Sequence, residues 1–96
     1  MTSPAWPLDV LSAYQLAVAE CAGCAPDAVV LQDPERSGFI VCAVDDGCLH
    51  FLHVARYLGL PINDVVAAYN VARPGMQLVR ARVRRIAEEY IKGVRQ

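Results

Sequence analysis

The sequence predicts an all-α fold, a compact helical domain carrying a helix-turn-helix, on three observations. Apolar residues recur at helical spacing, as in Leu11, Tyr14, Val18 and Cys21. Proline and glycine stand where helices begin and end: Pro7, Pro61 and Pro74 against Gly23 and Gly59. The last third, Pro74 to about Lys92, is basic and amphipathic, with Val79, Val83, Ile86 and Tyr90 at i, i+4, i+7 and i+11.

Taken in order, Leu8 to Ala22 reads as the first helix, started by Pro7 and stopped by Gly23. Cys24 to Leu31 reads as a tight connection followed by one helical turn. Gln32 to Gly38, with Pro34, Ser37, Gly38 and three charges, reads as a loop. The short apolar run Phe39 to Val44 fits a strand or the buried start of a helix, and helix is preferred. From about Asp46 to Leu58 the repeat Leu49, Leu52, His53, Arg56, Tyr57 predicts a helix capped by Asp45 or Asp46 and stopped at Gly59. Pro61 opens the next helix, Ile62 to Tyr69, which Asn70 ends because asparagine tolerates the left-handed conformation. Val71, Ala72 and Arg73 bridge to the last helix.

With 96 residues, 55% of them apolar and 20% charged, the chain is expected to form one domain, 1–96, since so short a chain cannot divide its core. A net charge of −1 hides a division: residues 1–55 carry seven acids against Arg36, a balance of −6, and residues 56–96 carry eight bases against three acids, a balance of +5. An anionic partner is expected at the basic end. No run approaches the ~20 apolar residues of a membrane span. The opening residues 1–7 lack the basic start of a signal peptide, so the expected location is cytoplasmic, at the nucleoid, with Cys21, Cys24, Cys42 and Cys48 reduced.

Two helices joined by a short turn over about 61–92 have the size of a helix-turn-helix, whose second helix reads the major groove. Gln77, Arg80 and Arg84 project within about 60° of one another, with Arg73 at the helix entrance, and form the expected reading face. Arginine suits bidentate contact with guanine and glutamine with adenine. Arg82 and Arg85 point elsewhere and are expected on flanking phosphates, and the free N–H groups at Gly75 and Met76 on an anion. The expected partner is therefore double-stranded DNA, with no membrane, and a homodimer would read paired half-sites. A protein-interaction adaptor with a basic docking helix is the alternative.

Cys21-x-x-Cys24 and His50-x-x-His53 have the paired spacing of a zinc site, but burial of small thiols on helical stripes accounts for the cysteines, so neither metal nor cofactor is expected. Asp45 and Asp46 near His50 could be drawn as an acid–base group; adjacent acids before a helix are ordinary capping chemistry. With no nucleophile elbow and no phosphate-binding glycine loop, an enzyme is not expected. Trp6, between Pro4 and Pro7, is expected as a lid over the core.

The order Val18 to Gly23, Pro26 to Val30, Ala55 to Tyr69 and Val79 to Ile86 resembles the C-terminal DNA-binding domain of the bacterial replication initiator DnaA over most of residues 10–90. The resemblance implies an all-helical fold and a DNA-reading helix. That family opens its reading helix with Asp-His-Ser/Thr-Thr, where this chain has Pro74-Gly75-Met76-Gln77-Leu78; a different target sequence follows. The family's basic loop before its second helix corresponds to a stretch holding Asp33, Glu35 and only Arg36. No ATPase domain is present, so an initiator acting alone is not expected. A DnaA-like domain of this kind is similar to the small activators of alphaproteobacterial gene-transfer-agent clusters, which implies a transcription activator working with RNA polymerase or a sigma-like factor.

Overall fold

The computed structural model describes residues 7–94, so Trp6 and its expected lid lie outside the described residues. These residues are all-helical, with no strand among them. Six α-helices follow in order: α1 (Pro7–Ala22), α2 (Pro26–Leu31), α3 (Glu35–Asp45), α4 (Phe51–Leu58), α5 (Ile62–Ala72) and α6 (Arg80–Ile91), with a 3₁₀ turn, Arg73–Met76, between the last two. None of them is long and apolar enough to cross a membrane.

Helix α1 forms where the repeat predicts it. Leu11, Tyr14 and Val18 are buried on one stripe, and the buried alanines Ala13, Ala17 and Ala19 widen it around the helix. It ends where Gly23 turns left-handed (φ 71°) and donates to the Ala19 carbonyl at 2.8 Å. Gln15 then donates from Nε2 to the Pro26 carbonyl at 2.8 Å, tying α1 to the start of α2.

The expected loop at Gln32–Gly38 is shorter than predicted: Gln32, Asp33 and Pro34 make the turn, and Glu35 to Gly38 already belong to α3. Asp33 accepts from the Ser37 amide at 3.1 Å and from the Ser37 hydroxyl at 2.7 Å, while the Pro34 carbonyl accepts from Gly38. The residues that signal a loop thus fasten a helix start, where a carboxylate also favours the helix dipole. Gly38 is buried because Met76 comes close; a Cβ there would stand 3.2 Å from its terminal carbon. Behind it Phe39, Ile40, Val41, Cys42 and Ala43 are all fully buried, resolving the ambiguous run as helix. Enclosed on all sides, α3 packs against the other five helices and forms the centre of the fold.

A second correction concerns Asp45 and Asp46, which end α3 and do not cap α4. Helix α4 starts at Phe51, capped by His50, whose Nδ1 accepts from the Leu52 amide at 3.0 Å. Between them Gly47 fits tightly: a Cβ would lie 2.6 Å from the Ala43 carbonyl oxygen and 3.1 Å from the Tyr14 ring. Gly47→Ala should therefore lower stability by about 1–3 kcal/mol, read as a fall in the urea midpoint. Gly59 stops α4 in the left-handed conformation (φ 69°), as expected.

Helix α5 runs through Asn70 to Ala72, and the last helix starts six residues later than expected, at Arg80. Pro74 has no N–H to continue an α-helical ladder, so the chain tightens into the 3₁₀ turn and passes through Gln77, Leu78 and Val79 before α6. Val83, Ile86 and Ala87 are buried and Tyr90 half-buried, largely against α1. Val79 precedes the stripe and is 42% exposed, so it does not belong to the packing face.

Candidate functional site

The C-terminus of α3 meets the α5–α6 connection in a cluster of charges. Arg80 grips Asp46 with two prongs, Nε to Oδ2 at 3.2 Å and Nη2 to Oδ1 at 3.1 Å, and its Nη1 stands 3.4 Å from Asp45 Oδ2. Arg73 donates from Nε to Asp45 Oδ2 at 2.9 Å, and the Tyr69 hydroxyl donates to Asp45 Oδ1. The Arg73 guanidinium also lies over the Tyr69 ring, 5.9 Å from its centroid. Tyr69 is held in turn by an edge-to-face contact with Phe51 at 5.0 Å.

Two carboxylates at a helix C-terminus oppose the helix dipole, and the two arginines offset that repulsion. Burial pushes the Asp45 carboxyl up, but hydrogen bonds from Tyr69 and Arg73 and the Arg80 charge outweigh it, holding the carboxyl below its ordinary range. Donating to that carboxylate pushes the Tyr69 hydroxyl up. Asp45 ionises more readily folded than unfolded, so the stability it contributes is present above about pH 4 and is lost as pH falls through the lower folded value. Urea unfolding between about pH 2 and pH 6 should show this acid loss, and Asp45→Asn should flatten it.

The expected reading face is divided by this arrangement. Arg73 and Arg80 face acids of their own chain. Met76 packs its side chain on Gly38 and is half-buried. Gly75 is exposed, and it and Met76 lie in the 3₁₀ turn, so their amides do not head the last helix as expected. Gln77, Arg82, Arg84 and Arg85 are exposed, and those three arginines make no ion pair among the described residues.

Three adjoining hollows follow this surface. Tyr69, Asn70, Arg73, Pro74, Gln77 and Arg80 line a cleft of about 270 Å³. Asp46, Gln77, Arg80, Ala81 and Arg84 line the next, about 240 Å³. Leu78, Ala81, Arg82, Arg84, Arg85 and Glu88 line an open groove of about 620 Å³. Shared residues make them one strip along the 3₁₀ turn and α6. Leu78, 96% exposed, stands at the edge of the arginine row.

Asp45, Asp46 and Tyr69 are the site residues that sequence reasoning missed. The available signal was two adjacent acids closing an apolar run, which, read as a helix end, demand cationic partners. Elsewhere, His50 Nδ1 is occupied as a cap, the His50 and His53 rings are 6.5 Å apart, and no group of three or more His, Cys, Asp or Glu gathers among the described residues. All four cysteines are free thiols. Burial, then the Asp46 charge, pushes the Cys42 thiol up to about 12. No family model, curated protein or solved structure matches the chain.

Proposed function

We propose that this chain is a sequence-specific double-stranded DNA-binding protein, a transcription regulator acting as an activator, which lays α6 and its leading turn into the major groove. The observation that carries the reading is the exposed row Arg82, Arg84 and Arg85, without ion pairs among the described residues, beside exposed Gln77. Unpaired guanidinium groups can exchange water for phosphate oxygens and base edges without first breaking an internal pair. In this reading Arg84 approaches bases, Gln77 stands between it and Arg73 where base edges give way to backbone, and Arg82 and Arg85 hold flanking phosphates. The DnaA-like resemblance belongs to the same proposal, as do a homodimer on paired half-sites and RNA polymerase or a sigma-like factor as protein partner.

Selection of bound duplexes from a randomised pool, followed by anisotropy titration over a salt series, tests it. The expected result is an enriched motif bound more tightly than random duplex, with affinity falling steeply as salt rises. Equal binding of every duplex would sink the sequence-specific reading.

A second reading rests on Leu78, an exposed apolar side chain that lines the same groove as Arg82, Arg84 and Arg85. Such a surface suits an acidic protein segment with an apolar anchor, and the chain would then be an adaptor. Nucleic acid co-purifying with the protein, seen in its ultraviolet absorbance, favours the first reading.

A further inference from the structure

Arg73 and Arg80 look equivalent in the sequence, yet they hold their acids in different ways. Arg80 commits Nε and Nη2 to Asp46 and places Nη1 beside Asp45, so every edge of its guanidinium faces a carboxylate. Arg73 commits only Nε. Its two terminal nitrogens donate to no group among the described residues, and the side chain is 56% exposed.

The Arg73 guanidinium is nonetheless fixed on two sides, by Asp45 at its inner edge and by the Tyr69 ring beneath its face. Asp45 is itself steadied by the Tyr69 hydroxyl and by Arg80. The remaining donors therefore border the cleft of about 270 Å³ that Asn70 and Gln77 also line. Both amides can donate through their NH₂ groups. A planar fork held in place with free donors, flanked by neutral donors, matches a tetrahedral oxyanion, and prior fixing lowers the entropy lost on binding.

We propose that the cleft of Tyr69, Asn70, Arg73 and Gln77 is a phosphate site, with Arg73 as its anchor and Asp45 as the residue that positions Arg73. Its source, resting on the duplex reading above, is a backbone phosphate of the bound DNA, seated just ahead of the face that approaches the bases. Arg80 takes no part in holding that phosphate.

The test combines anisotropy titration of a duplex with nitrogen-15 NMR of the side chains. Arg73→Ala should weaken duplex binding roughly tenfold near 0.1 M salt and reduce the salt slope by about one. Arg73→Lys, which keeps charge but loses the fork, should keep the slope while recovering only part of the affinity. Circular dichroism should show both variants folded, since Arg73 is an exposed end of its pair. In the wild type, inorganic phosphate at millimolar concentration should shift the Arg73 Nε resonance and the Asn70 and Gln77 amides, and duplex should displace it. Wild-type duplex binding with an unchanged Arg73→Ala affinity and slope would overturn the site and leave the duplex reading standing. Phosphate-induced shifts lost in Arg73→Ala, with no duplex binding, would keep the phosphate site, assign it to a free phosphate and sink the duplex reading. No shift from either probe would overturn the site.

Discussion

Replacing Arg80 with alanine is expected to lower the unfolding free energy by roughly 2–3 kcal/mol, more than any other exposed-helix arginine. The reason is what it leaves behind. Asp46 is 8% exposed and takes both of its side-chain hydrogen bonds from Arg80, so truncation strands a nearly buried carboxylate at the C-terminus of α3. Asp45 loses one cation but keeps Arg73 and Tyr69. The size lies between that of a surface pair and that of a fully buried one, because Arg80 itself is 26% exposed. Arg80→Lys should recover only part of the loss, since an ammonium cannot span two carboxylate oxygens in the same way. Adding Asp46→Asn to Arg80→Ala should restore stability, as the stranded charge disappears; strictly additive losses would contradict the pairing. Denaturant unfolding of the wild type, Arg80→Ala, Arg80→Lys, Asp46→Asn and the double variant measures it.

Removing Arg82, Arg84 and Arg85 together should have the opposite profile. All three are exposed and without ion pairs among the described residues, so the urea midpoint should hardly move. Duplex affinity should fall on the order of 10²–10³-fold near 0.1 M salt, and the salt slope should drop by about two, because Arg82 and Arg85 each give up a phosphate contact that releases about one counterion. Anisotropy titration at several salt concentrations separates this from misfolding, which would change the midpoint as well. A triple variant that binds duplex with wild-type affinity and slope would remove the row from the interface.

The contrast between Arg80 and its three neighbours shows what local sequence can and cannot convey. The basic character of the last third was plain, because charge is written in composition. Which arginines are already engaged was not: the partners of Arg73 and Arg80 lie 28 and 34 residues away along the chain. Helix α1 and the stop at Gly59 were legible because period and glycine act within a turn or two. The start of α3 was hidden for a different reason. Enclosure by five other helices removes the polar face whose alternation marks a helix, and Pro34 and Gly38 carry loop signals that Asp33 and the close approach of Met76 override. The late start of α6 has a simpler cause. Pro74 suits the first turn of a helix, but here the turn it opens is 3₁₀ and does not run on into α6.

The most direct test of the central claim is an amide NMR titration of the wild-type protein with a duplex selected from a random pool. Shifts concentrated at 70–88, strongest at Gln77 and at Arg82 to Arg85 and absent from the acidic surface of α1 to α3, are the expected result. Shifts centred on the acidic half, or none with any duplex, would contradict it.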